Sequence, residues 1–496
     1  MRITIKRLAV VSIIIFLSAL YLYLRVGFPE TIEFGYDQPR IATWVLSMME
    51  NGDYLDALRY IPTNPFGQRS CFNLFLYFLM PFFMVSRDPV VVSVLIALYS
   101  GLALILFYFL AKKLFGSLTA FLATLLIVVN PWHVVFSRMI YNPAFSLPLI
   151  ILGYYLLTCL GERKKWVWIL LPLVLGSIFQ VYVVSGFSTA LMIIVLILAF
   201  FRKEIDFKRL IVGLFLGLTI WIPLIRSEIT SGFAETNRLL MASEVKGDQT
   251  YIERGVNIIT HFINNSTYRD FNFELGYAYN DFTNGLSKIY KVWSVAFYIL
   301  VIASLFYLLA RVIYMRSFSY VLVFCWILAP LAFSIIYMSP EIVPRYFWVY
   351  IPPVSIVIAD FVVKLSQLLL RQKSWLAVSV FGLGVIVFNV YFIISFYKFV
   401  INYDGYKGLL SGVSDPPVVF SRGALEYAEA DGRSMGYDGV TISSPNWSVN
   451  FIRKYVLKKT EVVHGKRYLN YVIADGGAPE GAVDVVRFGP YVVYHE

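Results

Sequence analysis

Pro89-Val-Val-Val-Ser-Val-Leu-Ile-Ala-Leu-Tyr-Ser-Gly-Leu-Ala-Leu-Ile-Leu-Phe-Tyr-Phe-Leu-Ala111, followed at once by Lys112-Lys113, carries no charge until its end. A run of this length crosses a bilayer as a helix, because about 20 mostly apolar residues span the hydrocarbon. The lysine pair orients it, since Lys and Arg near a span are retained on the cytoplasmic side. Working outward, ten further apolar stretches lie near 8–24, 117–136, 145–160, 166–181, 187–201, 210–226, 292–310, 318–338, 346–364 and 375–397. Every second connection is basic: Arg2, Lys6 and Arg7 at the amino terminus, then Lys112–Lys113, Arg163–Lys165, Arg202–Arg209, Arg311–Arg316 and Arg371–Lys373. The pattern predicts a mainly α, polytopic membrane protein of about eleven spans with its amino terminus in the cytoplasm. Two long connections, about 25–88 and 227–291, and the tail from about 398 then lie outside. The alternation holds only if Cys71–Ser86, which is short and contains Asn73 and Pro81, lies in or re-enters the outer interface without crossing.

Composition agrees: 59% of the 496 residues are hydrophobic and 15% are charged, far from a soluble average. The net charge of +11 sits mostly in the cytoplasmic turns, where it meets anionic membrane lipid. A nucleic-acid partner would need basic residues gathered on one soluble face, so none is expected. Cys71, Cys159 and Cys325 are too scattered for a disulfide framework, and no His, Cys or carboxylate pair has zinc-site spacing. No Walker or dinucleotide fingerprint occurs, so no cofactor is implied; a divalent metal is left open. Gly382-Leu-Gly384 falls inside a span and reads as helix packing. From about Asn402 the apolar runs give way to short β-rich segments, Gly439–Ser443, Tyr468–Ala474, Val483–Phe488 and Tyr491–Tyr494, with helical stretches near Gly423–Ala430 and Asn446–Leu457. The expected organisation is a membrane catalytic unit over 1–397 and a small extracytoplasmic α/β domain over 398–496.

The polar residues gather where outer loops meet the bilayer. The first outer loop reads Glu33-Phe-Gly-Tyr-Asp37-Gln-Pro-Arg40, and a carboxylate just after a span can be held as a base or can cap the helix that follows. Two other outer junctions each bring an arginine, Arg138 in Asn130-Pro-Trp-His-Val-Val-Phe-Ser-Arg138-Met-Ile-Tyr-Asn142-Pro143 and Arg345 in Pro340-Glu-Ile-Val-Pro-Arg345-Tyr-Phe-Trp-Val-Tyr-Ile-Pro352-Pro353. Either guanidinium can grip a phosphate with its fork or simply anchor the interface. A transporter would carry ionisable or broken-helix sites at the midplane. Here Asp360 is the exception, and it is expected at a solvated cytoplasmic helix end.

This ordered set resembles the GT-C membrane glycosyltransferases. Asp37 in the first loop, the Lys112-Lys113-Leu-Phe-Gly116 turn, Ser137-Arg138 after an apolar helix, and Arg345-Tyr before Pro352-Pro353 are most similar to the protein O-mannosyltransferase and lipid A aminoarabinose transferase branch. The resemblance covers the membrane region to about residue 397. It implies that Asp37 is the catalytic base, that Arg138, Arg345 and Arg40 meet the donor phosphate, and that transfer inverts the anomeric carbon. Tyr36, Asn142 and His261 are the expected contacts to acceptor or sugar. Two features depart from the family: Asn64-Pro65-Phe-Gly67 stands where a His-x-Pro-Pro segment is common, and Asp37-Gln38 stands where an acidic pair is frequent. With no cytoplasmic domain to hold a nucleotide sugar, the expected donor is a polyprenyl-phosphate-linked sugar, and the acceptor a protein, lipid or glycan. The alternative is a multi-pass transporter or flippase of a lipid-linked saccharide.

Overall fold

With no water in the hydrocarbon layer, a spanning chain must satisfy its backbone internally, and the apolar runs accordingly fold as helices. The computed structural model describes residues 2–34, 37–52, 74–160, 162, 164–181, 206–230, 232–233, 237, 251–267, 279–315, 317–337, 344–402, 418–435, 439–444, 447–456, 468–475, 483–488 and 491–495. Helix covers each expected span except 187–201, which lies outside the described residues. In chain order the helices are α1 (Arg2–Val26), α2 (Asp37–Asn51), α3 (Leu74–Val85), α4 (Pro89–Phe115), α5 (Ser117–Val128), α6 (Pro131–Phe136), α7 (Asn142–Leu160), α8 (Val167–Val181), α9 (Phe207–Thr230), α10 (Tyr251–Ser266), α11 (Tyr279–Gly285), α12 (Lys288–Met315), α13 (Phe318–Tyr337), α14 (Ile351–Leu370) and α15 (Ser374–Asn402). Among the described residues five helical segments are long and apolar enough to cross a membrane: Pro89–Phe115, Asn142–Leu160, Phe207–Thr230, Lys288–Met315 and Phe347–Ile401. Shorter apolar helices cover Val11–Val26, Leu74–Val85, Ser117–Val128, Val167–Val181 and Phe318–Ala332. Within Phe347–Ile401 the chain turns between α14 and α15 at Arg371, whose φ is +46°.

Local chemistry sets the boundaries. Asp88 caps α4 by accepting from the Val90 N–H at 2.9 Å, with Pro89 at the first helical position. Gly116, at φ +90°, ends α4 after the lysine pair and opens α5. The stretch 117–136, read as one span, is two helices, because Asn130 caps α6 through the His133 N–H (2.9 Å) and Pro131 cannot donate to a continuing helix. The described part of α3 is twelve residues long, a rise of about 18 Å. Its phenylalanines pack on Phe145 of α7, with Phe75 and Phe82 ring centroids at 5.6 and 5.7 Å.

The centre of the bundle is α4, α5, α7 and α14. On one flank α8 and α9 approach closely through Gly213 and Gly217, a small-x-x-x-small seam of the kind that lets membrane helices touch. Gly382 faces Leu125 and Gly384 faces Trp293, so the glycine pair of α15 serves packing. Asp360 differs from expectation. It is 2% exposed and its Oδ2 accepts from the hydroxyls of Tyr307 (2.8 Å) and Tyr320 (2.9 Å), joining α12, α13 and α14. The two phenols take the place that solvent was expected to fill.

Toward the carboxyl end, α16 (Val418–Ser434) and the short α17 (Trp447–Phe451) accompany strands β1 (Gly439–Ser443), β2 (Tyr468–Asp475), β3 (Val483–Phe488) and β4 (Tyr491–His495). The sheet order is β1-β2-β4-β3, with β1 and β2 parallel and the other pairs antiparallel. A parallel pair needs a crossover, and α17 lies within it.

Candidate active site

The last turn of α1 carries Arg25, fully buried. A guanidinium in such a place is tolerated only when its donors are met. Nε donates to Ser137 Oγ (2.8 Å), and Nη1 donates to the carbonyls of Val128 (3.0 Å) and Tyr21 (3.3 Å). Nη2 lies 2.7 Å from His133 Nδ1. Because a guanidinium only donates, Nδ1 accepts, and the ring proton of His133 therefore sits on Nε2. The Tyr21 ring lies 3.8 Å from the guanidinium carbon, and the His133 ring stacks on Trp348 at 5.0 Å. Arg25 thus ties α1 to α5, α6 and the turn after it, and His133 carries the tie on to the 3-10 turn Pro344–Tyr350.

The next residue of that turn holds the segment that follows α1. Arg138 is 3% exposed; its Nη2 donates to the Thr31 carbonyl (2.9 Å) and Oγ1 (2.8 Å), and Nη1 donates to the Phe28 carbonyl (3.3 Å). Thr31 Oγ1 in turn donates to Phe28 O at 2.8 Å, so the 3-10 turn Pro29–Thr31 presents a prearranged set of oxygens. Tyr397 of α15 lies under the guanidinium, 4.7 Å from ring centroid to carbon, and donates to Leu24 O at 3.0 Å. Two residues on, the Ile140 N–H donates to Gln38 Oε1 at 2.9 Å. Ser137, Arg138 and Ile140 therefore fasten the loop at three places: the end of α1, the 3-10 turn and the start of α2.

Asp37 is the first residue of α2, and its side chain lies outside the described residues, as does the whole of Tyr36. Arg40, one turn along α2, holds its guanidinium carbon 5.4 Å from the Trp44 ring. Asn142 opens α7, directly after the stitched turn. Arg345 belongs to the 3-10 turn Pro344–Tyr350; its side chain is outside the described residues. His261 of α10 stacks at 6.4 Å on Phe347 of that same turn, and Phe262 meets Tyr350 edge-on at 5.1 Å. Two groups result: Asp37, Arg40 and Asn142 on one side, Arg345 and His261 on the other. The stack of Trp348 on His133 joins them at one end of the bundle. Among the described residues no three of His, Cys, Asp or Glu gather as a metal cluster.

The carboxyl-terminal elements form a further wall. Phe451 of α17 packs edge-on against buried Phe34 at 5.1 Å, and Arg422 of α16 pairs with the α4 cap Asp88 at 2.8 Å. Sequence reasoning missed Arg25, Thr31, Gln38 and Tyr397 as parts of this junction. The available signal was an arginine at the expected outer end of the first apolar run, against the orientation rule for basic residues.

No protein-family model matches the chain, and no match is found among curated proteins. Solved structures do match. ArnT from Cupriavidus metallidurans bound to undecaprenyl phosphate superposes with a TM-score of 0.57 at 10% identity, over 98% of this chain and 97% of that one. The Archaeoglobus fulgidus oligosaccharyltransferase in its apo form superposes with a TM-score of 0.50 at 15% identity, over 84% of this chain. The same archaeal enzyme, AglB, in complex with an inhibitory peptide and a dolichol-phosphate, gives a TM-score of 0.50 at 15% identity. The matched region spans 57% of the archaeal oligosaccharyltransferase's length, whereas the likeness to ArnT runs end to end. The likeness is one of fold: this chain shares the architecture of ArnT from end to end and that of the archaeal oligosaccharyltransferase over the matched region.

Proposed function

We propose, taking the GT-C fold as premise, that the chain is an integral-membrane glycosyltransferase that moves a sugar from a polyprenyl-phosphate donor to an acceptor hydroxyl on the extracytoplasmic side. The observation that carries this reading is the junction itself. Six residues expected to share a site, Asp37, Arg40, Arg138, Asn142, His261 and Arg345, lie on elements remote in sequence, and those elements meet through the 137–140 turn and the Trp348–His133 stack. The bound undecaprenyl phosphate of ArnT and the dolichol-phosphate of AglB favour a lipid-linked donor. The proposed orientation follows the charge alternation: eleven spans, the amino terminus cytoplasmic and the carboxyl-terminal α/β unit outside, in the cell membrane.

In the reaction, Asp37 takes the proton of the acceptor hydroxyl as its oxygen attacks the anomeric carbon. The bond from that carbon to the phosphate oxygen breaks, and polyprenyl phosphate leaves with the electron pair and a growing negative charge. A single in-line displacement inverts the anomeric carbon. Arg138, Arg345 and Arg40 stabilise the leaving charge. Of the five N–H donors of a guanidinium, Arg138 directs three at Phe28 and Thr31, and the proposed phosphate contact calls on the remainder. Tyr36, Asn142 and His261 contact sugar or acceptor.

Asp37→Asn tests the chemistry. Asn still accepts a hydrogen bond at a helix start, but it takes up no proton at neutral pH, so it separates base from cap. A lost cap costs about 1 kcal/mol, whereas a lost general base slows turnover by roughly 10²–10⁴-fold. The expected product is a stably inserted, donor-binding, nearly inactive protein. Near-normal transfer by the purified variant would sink the mechanism, and a wild-type protein that moves a lipid-linked sugar across vesicles without transferring it would establish a flippase instead.

A further inference from the structure

Resting on the transferase reading above, we infer that Gln38 is a positioning residue that holds the base-bearing end of α2 against the 137–140 turn, so that Asp37 stands at a fixed place. The second position of the Asp37-Gln38 pair is 1% exposed, and its Oε1 is the acceptor for the Ile140 N–H at 2.9 Å across 102 residues of sequence. An N–H can only donate, which fixes the amide's orientation. The turn that supplies this N–H is itself immobilised on both sides, by Arg25 on Ser137 Oγ and by Arg138 on Thr31 and Phe28. Gln38 is therefore the last link of a chain of bonds that begins in α1 and ends one residue from Asp37. A neutral amide suits this post. It supplies the acceptor oxygen without placing a second negative charge beside the residue assigned as base, where a like charge would raise that base's pKa.

Two substitutions in the full-length protein, in nanodiscs, test this. Gln38→Leu keeps much of the volume but offers Ile140 no acceptor. Amide hydrogen exchange in the peptide containing Ile140 is expected to rise, and turnover to fall about 10²-fold, the scale for a displacement of about 1 Å in a catalytic group, with the donor KM little changed. Gln38→Glu keeps an acceptor oxygen. Ile140 protection and most of the turnover are expected to return, while the acid limb of the rate profile moves to higher pH. Full turnover in Gln38→Leu, lost turnover with Ile140 protection unchanged, or an unmoved acid limb in Gln38→Glu would each overturn the positioning role. The exchange readout needs no transfer. Gln38-dependent protection of Ile140 in a wild-type protein that transfers no sugar would therefore condemn the transferase reading alone. Transfer that fails in Asp37→Asn but survives in Gln38→Leu would condemn the positioning role alone.

Discussion

Arg138→Lys is the most informative single change to the junction, because it keeps the charge and removes the fork. The arginine reaches its acceptors from two nitrogens, Nη2 on Thr31 O and Oγ1 and Nη1 on Phe28 O. A lysine has one nitrogen, which cannot stand in both places, so at least one bond is lost. Hydrogen bonds to charged groups contribute about 1.5–3 kcal/mol each, and the site is buried, so the expected destabilisation is of that size. Against a total stability of roughly 5–15 kcal/mol the protein still folds and inserts, but the Phe28–Phe34 segment loosens. Thr31→Val removes one of the same acceptors, so the two changes share an interaction. The double variant should therefore depart from additivity by about 0.5–3 kcal/mol. Thermal unfolding of the four purified proteins supplies the cycle, and hydrogen exchange across Phe28–Phe34 reports the loop. Additive effects together with unchanged exchange would refute the clamp and leave Arg138 acting on substrate alone.

Two further predictions concern the frame around the site. A Cβ added at Gly213 would stand 2.5 Å from Trp168 O and 2.7 Å from Ile169 O, backbone atoms that cannot rotate away. Gly213→Ala is therefore expected to part α8 from α9 and to cost about 1–3 kcal/mol, read as a lowered unfolding temperature. Gly285→Ala, which would meet nothing within 4 Å, should leave that temperature unchanged, and equal shifts in the two variants would discredit the seam. A reporter fused after Glu496 should read extracytoplasmic and one inserted at Lys112–Lys113 cytoplasmic; the same side for both would break the proposed orientation.

The sequence was most legible where structure depends on local pattern. Apolar run length placed the helices, because a chain without water must close its own backbone bonds, and the β-rich stretches Gly439–Ser443, Tyr468–Ala474, Val483–Phe488 and Tyr491–Tyr494 form the four strands of the sheet. The break at Asn130-Pro131 was legible in principle from a capping residue before proline. What could not be read is which polar side chain meets which. Arg25 finds Ser137, and Asp360 finds Tyr307 and Tyr320, across sequence separations that no periodicity encodes. The place of Asp360 along its own helix carries no sign of the two phenols that replace water.

A usable signal remained nonetheless, in the residues that break the orientation rule. Basic residues on the outer side gain nothing from the bias that retains their counterparts in the cytoplasm, so an outer arginine beside an apolar run calls for some other stabilisation. Arg25 and Arg138 lie at the expected outer ends of their helices, and both find acceptors and an aromatic face inside the protein. Arg40 lies over Trp44 in the same region, and Arg345 sits on the turn whose Trp348 stacks on His133. Arg25, Arg138, Arg40 and Arg345, misplaced with respect to the expected topology, thus lie on elements that converge at one junction. That convergence needs no assumption about the reaction, and for this reason the exchange and unfolding measurements at Arg138, Thr31 and Gln38 can be read before any sugar donor is identified.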